Sequence, residues 1–97
     1  MATSKEYKDF VLEQFDGFSG ITLKPMMGEY LLYYNGVLFG GIYDDRLLVK
    51  KTKTNADFGM GEALPYDGAK SMYLVDYIDD KEKLKKLVLK TCEGLQK

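Results

Sequence analysis

The chain has 97 residues, 45% hydrophobic and 13% aromatic, with a formal net charge of −1. That length fits one domain, residues 1–97, with enough apolar material for a core without disulfides or a metal. The near-neutral balance argues against bulk electrostatic attachment to nucleic acid, and no apolar run approaches the roughly 18–20 residues of a membrane span. Nothing in the polar stretch from Met1 to Phe10 resembles a signal peptide. Cys92 is the one cysteine, so no internal disulfide can form and a reducing cytoplasm is the expected home. Histidine is absent and Arg46 is the sole arginine, which lowers the expectation of specific DNA reading.

The first predicted element is an amphipathic helix. Tyr7, Phe10, Val11, Phe15 and Phe18 recur at helical spacing, with Lys5, Glu6, Asp9, Glu13 and Asp16 on the other side. Thr3 and Glu6 have the spacing of a capping box, and Gly17 with Gly20 marks the exit. Ile21 to Met26 reads as a short strand at a sheet edge, because Pro25 has no amide to donate to a ladder.

An antiparallel meander follows. Asn35-Gly36 is a strong hairpin signal, and Asp44-Asp45 is a weaker pair of the same length. Taken literally, the two turns set Tyr34 opposite Val37 and Tyr43 opposite Arg46. Alternation then puts Leu31, Tyr33, Leu38, Gly40, Ile42, Leu47 and Val49 on one charge-free face, expected to meet the helices. Tyr30, Leu32, Tyr34, Val37, Phe39, Gly41, Tyr43, Arg46, Leu48 and Lys50 fall on the other. Residues 51–71 read as an irregular connection with one helical turn near Asn55–Phe58, Met72 to Val75 as a last strand. Asp79 or Asp80 caps a final helix striped by Leu84, Leu87, Val88, Thr91, Cys92 and Leu95.

Candidates for chemistry are few. Cys92 lies on the apolar stripe with no histidine to activate it, so it reads as a core residue. Asp44-Asp45 and Asp79-Asp80 are explained by turn and cap chemistry rather than by acid–base or metal work. Gly59, Gly61 and Gly68 fit no phosphate-loop spacing. No catalytic, cofactor or metal residue is expected, and the chain reads as a non-enzyme.

Two binding readings remain. Tyr30, Tyr34, Phe39 and Tyr43, with Arg46 and Lys50 beside them, have the composition of a protein–protein contact site. The occupant would be a second copy, giving a homodimer, or a regulatory partner; the competing reading is that residues 51–71 fold back over that face. The other class is nucleic-acid binding through Lys83, Lys86 and Lys90, with Lys97 on the same side of the last helix and Lys50, Lys51 and Lys53 clustered elsewhere. A solvated helix face explains those lysines more simply.

An ordered set of motifs points to a family. Met26-Met27-Gly28, the Asn35-Gly36 turn, Phe39-Gly40-Gly41, Asp44-Asp45 and Leu47-Leu48-Val49-Lys50 follow one another, and Pro65-Tyr66 and Ser71-Met72-Tyr73-Leu74-Val75 come after. In that order they resemble the N-terminal domain of the TfoX family, bacterial proteins associated with regulation of natural competence. Glu29 departs from the pattern, which more often has glycine there. The longer competence regulators continue into a second, helical domain that is not among these residues, and activity belonging to that domain is not carried over. The resemblance implies an α+β fold: a helix, an antiparallel sheet of about five strands and a closing helix, similar to a secretion-chaperone-like layer. It implies a cytoplasmic regulatory module and no catalytic residues.

Overall fold

The computed structural model describes residues 3–96; Lys97 lies outside the described residues. Ser4 has extended backbone, and its hydroxyl accepts from the Tyr7 amide at 3.1 Å, which caps α1, Lys5–Gln14. The Thr3–Glu6 box does not form. Thr3 points inward instead: its hydroxyl donates to Glu29 Oε1 at 2.7 Å and accepts from the Asp45 amide at 3.3 Å. A buried hydroxyl needs partners more than an exposed one does, so the cap falls to the next residue.

Six antiparallel strands make one sheet: β1 Ile21–Met26, β2 Glu29–Tyr34, β3 Val37–Ile42, β4 Leu47–Val49, β5 Gly61–Ala63 and β6 Met72–Leu74, in the order β1-β2-β3-β4-β6-β5. β1 is an edge, as Pro25 requires. The count exceeds the expected five because Gly61–Ala63 pairs with β6. Nothing apolar or alternating marks those three residues as a strand; the partner makes them one. A short 3-10 turn at Ala56–Phe58 occupies the same connection, and α2 spans Lys81–Leu95 behind an Asp80 cap.

Both predicted corners are where the residues place them. Asn35 and Gly36 have φ of 49° and 83°, Asp44 and Asp45 of 51° and 55°, the left-handed pair that a tight hairpin needs. Tyr34 stands opposite Val37, and Tyr43 exchanges backbone hydrogen bonds with Arg46 at 2.9 and 3.0 Å. Between the corners the register slips. Tyr33 pairs with Leu38, but Leu32 pairs with Gly40, so Phe39 is an extra residue bulged out of the β2–β3 ladder.

That bulge divides the expected faces. Ile42, Leu47 and Val49 meet the helices as expected, within the core cluster that holds Val11, Phe15, Leu84, Leu87, Val88 and Cys92. Leu32 and Phe39 join the same cluster fully buried, with Tyr30, Tyr34 and Val37 packed against it. These five belong to the face expected to be open. Leu31, Tyr33 and Leu38 are correspondingly turned to the side without helices. The expected inside and outside are exchanged for β2 and the start of β3 and hold for the rest.

A polar knot ties the long connection to α2. Asn55 and Thr91 are each 0% exposed. The Asn55 side chain accepts from the Thr52 amide at 2.9 Å and donates to the Lys50 carbonyl at 2.8 Å and to Thr91 Oγ1 at 2.9 Å. The Thr54 hydroxyl donates to the Lys90 carbonyl of α2. Tyr77, just before α2, is a contrast: its hydroxyl is shut away from solvent with no partner among the described residues. Burial, helped by the nearby Asp76 and Asp80 carboxylates, pushes its pKa up to about 12.

Two expected outcomes follow. Asn55→Ala strands the Lys50 carbonyl and the Thr91 hydroxyl, a cost of about 2–4 kcal/mol. Its thermal midpoint falls by about 8 °C or more if about 4–8 °C accompanies each kcal/mol in a domain of this size; a drop of only a degree or two in a calorimetric scan contradicts the knot. For Tyr77, the folded pKa exceeds the unfolded value of about 10, so the unfolded chain sheds its proton first as pH climbs. The contribution is intact below pH 10 and is lost between pH 10 and about 12. Tyr7 and Tyr43, also raised by burial, add to the slope in the same direction. Urea midpoints measured from pH 9 to 11 should decline less steeply for Tyr77→Phe than for wild type, and parallel declines would rule the assignment out.

Candidate functional site

The six residues expected to form one contact surface are dispersed by the bulge. Phe39 is 0% exposed and meets Phe15 edge-on, with ring centroids 6.4 Å apart. Tyr34 packs on Phe18 at 5.1 Å, and Tyr30 lies beneath the Lys8 ammonium at 5.8 Å from its ring centre. These three serve the helix-covered side. Tyr43 and Lys50 stay on the helix-free side, where Tyr43 is only 6% exposed and sits 6.4 Å from the Tyr66 ring. Its ring crosses Gly41, where any side chain would collide with it. Arg46 spends its guanidinium on the backbone, donating to the Leu64 carbonyl at 3.0 Å and the Tyr43 carbonyl at 3.2 Å. Residues 64–66 therefore cover part of this face, as the competing reading of the connection had it.

The other candidates resolve simply. Burial pushes the Cys92 thiol up, which leaves it less nucleophilic than a free cysteine. Asp45 Oδ1 accepts from the Ser4 amide at 2.8 Å, and Asp80 Oδ1 from the Lys83 amide at 3.1 Å. Both carboxylates work on backbone. Lys83, Lys86 and Lys90 are all exposed on α2, but Lys83 sits 4.1 Å above the Tyr77 ring and Lys90 lies 3.4 Å from Glu93. Among the described residues no three His, Cys, Asp or Glu side chains gather as a metal site would require, and no helix is long and apolar enough to cross a membrane.

What the structure does assemble is a cleft of about 820 Å³. The β4–β6 register continues Leu48↔Leu74 and Val49↔Tyr73, so the residues after β4 meet those before β6. Lys50 and Lys51 thereby come beside Lys70 and Ser71, and all four line the cleft. Its apolar wall is Leu38, Tyr43, Pro65, Tyr66, Ala69, Met72 and Leu95. Lys51 is fixed by Glu62 Oε1 at 2.9 Å and Ser71 Oγ at 3.0 Å. That ammonium, with the Ser71 hydroxyl, holds the Glu62 carboxyl below the usual carboxylate range. The sequence signals missed this site because its cations come from two segments 20 residues apart, joined only by strand pairing.

The helix-free side also leaves apolar groups in water. Met26 is 37% exposed, Leu64 47% and Tyr66 61%. Met27, at the tip of the β1–β2 turn, is 97% exposed with φ of +51°. Met27-Gly28 is thus a third tight turn, with a methionine where asparagine or glycine is the comfortable residue.

Comparison with known proteins agrees with the ordered motifs. The model of the TfoX N-terminal domain matches residues 13–94. An uncharacterized 12.7 kDa protein in the trpE 5′ region of Spirochaeta aurantia is 33% identical over 78 residues, which covers 78% of this chain and 68% of that protein.

Proposed function

Because the chain belongs to the TfoX N-terminal domain family, we propose that it is a non-catalytic regulatory module that works by protein–protein contact, with a second copy as the first candidate occupant. The observation that carries this reading is Met27. Holding an ordinary side chain in the left-handed region costs about 1–2 kcal/mol, and this one is spent on a large apolar group in solvent. A thioether on an exposed turn is an adaptable contact, and it follows directly on Met26, with the half-buried Leu31 opposite Lys24 and Tyr33 opposite Thr22 further along the helix-free face. The contact surface is therefore the β1–β2 end of that face, and not the six-residue patch that alternation alone implied. Nucleic-acid binding through α2 draws less support, since two of its three lysines already have intramolecular partners.

Stability and contact should separate at this position. Met27→Asn relieves the backbone and raises stability by about 1 kcal/mol in a urea melt, while removing the anchor. Sedimentation velocity should show wild type gaining mass with concentration and Met27→Asn remaining monomeric. Two monomers that recover the same proteins in a pull-down would refute the proposal.

A further inference from the structure

The cleft between the connection and the sheet is a second site, independent of Met27. We propose that it binds an amphipathic small-molecule carboxylate, with its apolar body along Leu38, Tyr43 and Met72 and its carboxylate between Lys50 and Lys70. Three observations converge on that class. The volume, about 820 Å³, lies within the roughly 300–1,000 Å³ of sites that enclose small ligands. The wall is apolar apart from one end, where strand pairing gathers three lysines and Ser71, and no aspartate or glutamate lines the cleft. The lysines are not equivalent. Lys51 is held by Glu62 and Ser71, so it shapes the rim. Lys50 and Lys70 form no ion pair among the described residues. Lys50 is half-buried and Lys70 exposed, and an ammonium with no carboxylate partner is free to make a charge-assisted hydrogen bond to an anion. Charge complementarity therefore selects an anionic head, and the wall selects a hydrocarbon or aromatic tail.

Decanoate is the probe and decanol its neutral counterpart, titrated calorimetrically into the wild-type chain. Decanoate should bind saturably with Kd below about 1 mM, and decanol at least about tenfold more weakly. Lys50→Met with Lys70→Met keeps the apolar stems and removes both charges. That variant should lose about tenfold in decanoate affinity while its decanol affinity and melting midpoint stay put. Met27→Asn should bind decanoate as wild type does, so failure of the contact proposal leaves this one standing. Equal affinity for the acid and the alcohol would overturn the inference. So would unchanged decanoate binding in the double variant, or no saturable binding to wild type. Should the double variant fold poorly, the acid-to-alcohol ratio on wild type still decides.

Discussion

Phe39 and Gly40 both stand against Leu32, and that one extra residue determines which way much of the sheet faces. It lets Phe39 enter the core beside Phe15 while Leu38, its neighbour, turns to the helix-free side. Gly40 makes the arrangement possible. A side chain there would strike the Leu48 carbonyl and come within 2.9 Å of Val49 Cα. Close approach of β4 then allows the Lys50 amide to reach the Phe39 carbonyl at 2.8 Å, so the bulge loosens one ladder and keeps the other. With Phe39 buried, full burial of the ring supplies about 1.5–3 kcal/mol, a large share of what a small domain retains.

Two polar assemblies hold the rest to this sheet. At one end the Glu29 carboxylate accepts from the Thr3 amide at 2.9 Å, the Thr3 hydroxyl at 2.7 Å and the Asp44 amide at 3.1 Å. The N-terminal segment and the β3–β4 turn are thus gathered by one side chain, at the position where the family more often has glycine. At the other end Asn55 and Thr91 bind the long connection to α2. Each assembly gives hydrogen-bond partners to backbone groups, several of them partly buried, that no strand or helix pairs. The connection is consequently a structural wall with a role, since its far limb, Pro65 to Ser71, is what gives the cleft depth.

Much of the chain's organisation was legible in its residues, and the limits have physical causes. Helix stripes, apart from Phe10, which is 41% exposed, the edge strand and both turns follow from local chemistry: a 3.6-residue period, a proline without an amide, and residue pairs that tolerate positive φ. The faces depend on counting from those turns, and counting fails at an interior bulge. Phe39-Gly40-Gly41 contains the material for one, as glycine in a strand often marks a bulge or a close backbone approach. Nothing in it says which residue is extra. The site was less legible still. Tyr43 and Lys50 lie downstream of the bulge and were placed on the correct side, whereas Tyr30, Tyr34 and Phe39 lie upstream and were not. Glu62 and Ser71, which position Lys51, are isolated polar residues whose meeting is created by the β5–β6 and β4–β6 pairings alone.

The two surfaces differ in a way that bears on how they would be used. The Met27 turn is convex, exposed and strained, so it can touch a partner without any change in the fold. The cleft is concave and walled by the connection, whose near limb is pinned to α2 through Asn55 and whose far limb meets the sheet through the Tyr43–Tyr66 contact. A ligand seated there would bear on that limb, and through Arg46 and the Leu64 carbonyl on the β3–β4 turn that Glu29 also holds. Glu29 is itself the first residue after the Met27-Gly28 turn. The hydrogen-bonded path from cleft to the Met27-Gly28 turn thus runs through groups already fixed in place, so any coupling would act on the position of a rigid turn and not by ordering a loose one.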